Sequence, residues 1–195
     1  MMTKPTISLL HWNYFLALES DLSDLSRYIE FTSANFDTYS IELAHLLLAS
    51  ASEVDVKLKE LCYHLDHHMK VKNIDDYRRV IKDNLPEFLD EKVYIPRYNI
   101  SFTPWLEWKS DSNPEWWGSY NNVKHERNKF FSDANLKNVI HSMGGLFVAE
   151  NYFYMMELRK NSPTIDLRKT IFELELKSEF IKFDEGYYPK ILVTE

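Results

Sequence analysis

Asn121-Asn-Val-Lys-His-Glu-Arg-Asn-Lys129 sets one histidine among amides and three cations within a single helical stretch. An imidazole, with its ordinary pKa of about 6.5, can exchange a proton with a ribose 2′-hydroxyl or a leaving oxygen at neutral pH. A neighbouring cation can stabilise the charge that builds on a phosphorane-like centre. His125, Asn121 and Asn122 are therefore the candidate catalytic residues. Lys124 and Lys129 are candidate contacts to phosphate. Trp105, Trp108, Trp116 and Trp117 precede this run closely, and Trp117 is the candidate platform for a base. Stacking of that kind contributes roughly 1 to 3 kcal/mol per base, although packing is the commoner use of tryptophan.

Arg127 poses a separate problem. On a helical projection it falls within the apolar arc of Trp116, Tyr120, Val123, Phe130 and Phe131. A buried guanidinium needs a carboxylate. Hairpin geometry disfavours Glu150, so a structural ion pair with Glu53, or next with Asp55, is expected.

These residues need helices to position them. Asn113, Pro114 and Glu115 read as the start of the central helix. Before it, apolar spacing predicts helices over about residues 8–31, 37–68 and 74–84. The second of these, with Leu43, Leu47, Ala51, Val54, Leu58, Leu61 and Leu65 in one stripe and no Gly or Pro, should be the longest and most buried. After it, Ser132-Asp133 should cap a helix over about 134–158, whose apolar arc includes Glu150. The mid-helix pair Gly144-Gly145 implies a close crossing or a kink. Residues 92–103 are β-branched and aromatic, with Pro96 restricting them to an edge or irregular strand; residues 180–183 are a short strand candidate beside them. The fold class expected is all-α, a bundle of four or five main helices with a small extended appendage. One domain is expected over 1–195, with a core of about 8–158 and a C-terminal extension over 159–195.

Composition narrows the function classes. The chain has 195 residues, a formal charge of -7, 15% aromatic residues and four glycines. That balance argues against coating nucleic acid by charge alone, but not against a local basic site. Cys62 has no intrachain partner, and no export signal or uncharged run of membrane-spanning length is visible, so the expectation is a cytoplasmic protein with no membrane partner. There is no glycine-rich phosphate loop, G-x-S-x-G elbow, Cys-x-x-Cys, His-Glu-x-x-His or EF-hand loop. His64 and His68 have the i, i+4 spacing of a chelating pair, but histidines at a helix C-terminus are ordinarily dipole-stabilised and solvated. No metal and no cofactor are expected.

The long helix with acidic borders, the Trp-Trp-x-x-Tyr-Asn-x-Val-Lys-His-x-Arg run over Trp116 to Arg127 and the apolar helix after it together resemble the HEPN superfamily. These are small α-helical domains frequent in prokaryotic toxin and antiphage systems, many of them metal-independent ribonucleases acting as dimers. The resemblance implies an RNA- or nucleotide-directed protein of defence or stress response, working as a homodimer. Catalytic members carry an R-x4-6-H motif; Gly118, Ser119 and Tyr120 stand where its arginine would be, making this a divergent form. The alternative is a non-catalytic helical module for interaction or dimerisation.

Overall fold

Ser40 opens the longest helix by accepting the Leu43 N–H on its Oγ at 3.1 Å, and the helix, α2, then runs over Ile41–Leu65. The computed structural model describes residues 8–160, 162–173 and 178–183. In chain order, α1 is Leu10–Leu25, α3 Ile74–Asn84, α4 Glu115–Phe130, α5 Leu136–Arg159 and α6 Leu167–Glu173. The fold is mainly α-helical with a small three-stranded antiparallel sheet. No helix among the described residues is long and apolar enough to cross a membrane.

The core forms where α2 lies along α5. Tyr39 bridges Asn135 ahead of both helices, the Ser50 and Ser142 hydroxyls meet at 2.7 Å, and His64 Nε2 reaches Glu157 Oε1 at 2.8 Å near their far ends. Contacts that advance together along both chains mean that the two helices run parallel. Leu43, Leu47, Ala51, Val54, Leu58 and Leu61 are buried as their spacing predicts, and Leu65 is half-buried. Burying a side chain of this size contributes about 1.5 to 3 kcal/mol, so this interface dominates the fold. On α1, Trp12, Phe15, Leu18 and Leu22 are buried, with Trp12 and Phe15 both against Phe147 of α5.

Strands β1 (Val93–Ile95), β2 (Ile100–Phe102) and β3 (Lys182–Phe183) have the order β2-β1-β3. Pro96 lies outside the ladder: it begins the short 3-10 turn that joins β1 to β2, and Asn99 completes the reversal at φ 52°. The pairing of residues 92–103 with 180–183 is present, as Val93 opposite Phe183. Glu19 of α1 fastens that C-terminal segment. Its carboxylate accepts the N–H groups of Glu179, Phe180 and Ile181 at 3.2, 3.2 and 2.8 Å, together with the Ser178 hydroxyl.

Two expected caps belong elsewhere. Asn113 bonds to Asp75 and Arg78 instead of capping α4, and Asn135, not Ser132 or Asp133, caps α5 through the Asn138 N–H at 3.0 Å. The glycine pair admits aromatic rings without breaking α5. A Cβ at Gly144 would meet Phe102 at 2.5 Å, and one at Gly145 would meet Trp116 at 2.9 Å.

Candidate functional site

Helix α4 is two helical pieces joined across Glu126, whose φ of -140° and ψ of 49° are not helical. This break turns the last part of α4 away from the arc that Trp116, Tyr120 and Val123 define. Arg127 is exposed as a result and has no ion pair among the described residues. The expected structural pair is therefore corrected. Glu53 instead faces His11, and Asp55 takes a hydrogen bond from the Tyr77 hydroxyl. The helical projection failed because it assumed an unbroken helix through residue 126.

The turned end of α4 closes a groove against the start of α2. His45, Lys124, His125, Arg127 and Asn128 line it with Phe131 and the apolar side chains of Ile41, Ala44, Leu48 and Val123, around a volume of about 890 Å³. No carboxylate lines it. Glu42 lies outside, 3.6 Å from His45 Nδ1, and Glu126 is paired with Lys129. At the rim, Tyr39 is 51% exposed and meets Phe131 edge to face at 5.4 Å.

Of the residues singled out by sequence, the structure brings Lys124, His125 and Arg127 together. Lys124 also lies over the Tyr120 ring at 5.2 Å. Asn121 donates to the Trp117 carbonyl at 3.0 Å and Asn122 to Asp133 Oδ2 at 2.9 Å, so neither amide lines the groove. Lys129 lies outside it too. Trp117 is 7% exposed between Trp116 and Tyr120, which corrects its assignment as a base platform. The whole tryptophan cluster serves packing: Trp105 is 4.4 Å from Trp108 and 5.1 Å from Trp116, and its Nε1 donates to the Gly145 carbonyl. His45 and Tyr39 were missed. Their only signal was position, a histidine off the apolar stripe of α2 and an aromatic residue just before its cap.

Comparison with protein-family models, curated proteins and solved structures gives no match.

A second polar cluster lies further along α2, where it meets α1 and α5. His11 Nδ1 and Glu53 Oε1 are 2.6 Å apart, and a ligand atom of each of His11, Glu53 and Glu150 lies within 4.8 Å of the others. Glu150 is fully buried, and burial pushes its carboxyl up to about 8 despite the nearby Lys57 charge. Lys57, also fully buried, is paired with Glu60 and lies over the Phe153 ring at 3.7 Å. His11 lines a cavity of about 1040 Å³ whose wall includes Tyr63, His64, Phe153 and Glu157. Burial, then the Lys160 charge, lowers the His64 pKa despite its Glu157 partner. The helical i, i+4 relation of His64 and His68 is absent, because α2 ends at Leu65 and His68 follows it in the turn where its backbone N–H donates to Asp66 Oδ1.

Proposed function

We propose that the protein acts on RNA or nucleotide phosphates in its α2/α4 groove, as a divergent HEPN-type helical protein of prokaryotic defence or stress response. The observation that carries this reading is the lining. In a chain of net charge -7, the groove holds two permanent cations, two histidines and no carboxylate. Such a surface attracts phosphate locally although the whole molecule repels it.

Two imidazoles in one groove supply the base and the acid of metal-independent transesterification. One takes the 2′-hydroxyl proton as the 2′-oxygen attacks phosphorus; the other protonates the departing 5′-oxygen, leaving a 2′,3′-cyclic phosphate. Arg127 and Lys124 stabilise the charge on the phosphoryl oxygens, and Tyr39 with Phe131 offers an aromatic rim to a base. In this reading the protein works in the cytoplasm as a homodimer. The dimer is favoured by Ile41, an apolar groove residue that is 63% exposed.

The test is cleavage of mixed single-stranded RNAs, with chelator present, by wild type, His125→Ala, His45→Ala and Arg127→Glu. Loss of cleavage in either histidine variant, with weaker RNA binding in Arg127→Glu, supports the reading. Equal cleavage by wild type and His125→Ala removes His125 as catalyst. Absence of RNA binding by wild type, with a dimer in solution that Ile41→Glu dissociates, leaves the interaction-module reading.

A further inference from the structure

We propose that His11, Glu53 and Glu150 bind one divalent transition-metal ion where α1, α2 and α5 meet. Each donor comes from a different helix, and the three ligand atoms already lie within 4.8 Å of one another. A cation about 2.0 to 2.2 Å from each needs the donors roughly 3 Å apart, which small side-chain rotations supply. The ion takes the place of the proton shared by His11 Nδ1 and Glu53 Oε1, now 2.6 Å apart.

Glu150 points independently to a missing ligand. It is 0% exposed, and neither of its carboxylate oxygens has a hydrogen-bond partner. A buried carboxylate is ordinarily paired, hydrogen-bonded or coordinated to metal, because desolvation otherwise costs several kcal/mol, at least roughly. Lys57 does not fill the role, since its ammonium is committed to Glu60 and the Phe153 ring. Water could satisfy the oxygens as a hydrogen-bond partner, but the convergence of an imidazole and two carboxyl groups from three helices is the arrangement of a ligand set.

The donor set selects the ion. One imidazole with two carboxylates suits Zn²⁺, Mn²⁺ or Fe²⁺ better than Mg²⁺ or Ca²⁺, which favour all-oxygen surroundings. Three protein ligands also leave a coordination position open, as in catalytic rather than closed structural sites. His11, one of the three donors, is also part of the cavity wall. This site shares no residue with the α2/α4 groove and does not depend on the RNA reading.

The test uses full-length protein stripped with chelator and titrated with Zn²⁺ and Mn²⁺ by calorimetry, with Co²⁺ as an absorption probe. The expected result is one equivalent per chain and a Tm rise of roughly 5 to 10 °C when free metal is about a hundredfold above Kd. Glu150→Gln keeps the side-chain shape and replaces the ionisable carboxyl donor by a neutral amide, so the variant should remain folded by circular dichroism; its metal affinity should fall at least tenfold, as should that of His11→Ala. His64→Ala, a cavity-wall histidine outside the donor set, should bind as wild type does. No uptake by wild type overturns the proposal. Undiminished uptake by folded Glu150→Gln, or uptake lost with His64 instead of His11, also overturns it.

Discussion

Ser50 of α2 and Ser142 of α5 place their hydroxyls 2.7 Å apart with neither residue exposed. Ser50 Oγ also donates to the Leu46 carbonyl at 2.7 Å, so it accepts from Ser142. The pair is a polar pin midway along the parallel interface, between apolar layers of α2 and α5. Ser142→Ala leaves Ser50 satisfied and should cost about 1 kcal/mol, whereas Ser50→Ala strands the Ser142 hydroxyl and should cost about 1 to 3 kcal/mol. A double-mutant cycle in urea should show a coupling of at least about 0.5 kcal/mol. Strict additivity would mean that the hydroxyls do not interact.

Arg127 separates binding from stability. Because its guanidinium is exposed and unpaired among the described residues, Arg127→Ala should change unfolding free energy by no more than about 0.5 kcal/mol. Affinity for single-stranded RNA should fall, and the slope of log affinity against log salt should shrink by about 0.7 if one phosphate contact is lost. Salt titrations of RNA binding, read beside thermal melts, measure both. A sharp fall in Tm would restore Arg127 to a structural role.

Gly145 is required by shape. Alanine there gains about 1 kcal/mol in helix propensity, but its Cβ would stand 2.9 Å from a Trp116 ring that is almost wholly buried and held through Nε1 to the Pro104 carbonyl at 3.1 Å. Overpacking of this kind costs roughly 1 to 3 kcal/mol, so Gly145→Ala should destabilise in chemical denaturation. Gly144→Ala should be relieved by shortening Phe102 to leucine, because that ring is what its Cβ meets.

His141 gives stability a pH dependence of definite sign. It stacks on Phe102 at 4.3 Å, and burial, followed by the Lys137 charge, holds its pKa down to about 4 from 6.5. The unfolded chain therefore takes up the proton first as pH falls. The contribution is fully present above about pH 6.5 and is lost between there and about pH 4, reaching roughly 3 kcal/mol. Urea titrations at pH 4, 5, 6 and 7 should show a smaller acid loss in His141→Phe than in wild type. Parallel profiles would assign the acid sensitivity to other groups.

Sequence periodicity alone determined the long helices, because burying Leu43 through Leu61 on one face requires α2 to keep its 3.6-residue repeat whatever it packs against. It also marked the extended pieces Val93–Ile95 and Ile100–Phe102, though not the 3-10 turn between them, and left Gly144-Gly145 as either a close crossing or a kink, which the rings of Phe102 and Trp116 resolve as a close approach. The direction of packing was not legible. Nothing local states that α2 and α5 run parallel, and that choice brings Ser50 to Ser142 and Glu53 to Glu150. His11, Glu53 and Glu150 are far apart in the chain, so no spacing rule joins them; only the odd placement of Glu150 in an apolar arc marked it. The groove was half legible. Lys124, His125 and Arg127 are neighbours in sequence, but the backbone break at Glu126 decides which way Arg127 points, and tertiary packing supplies His45. Trp117 shows the reverse: aromatic composition suits a base platform or a core equally, and its burial between Trp116 and Tyr120 chose the core.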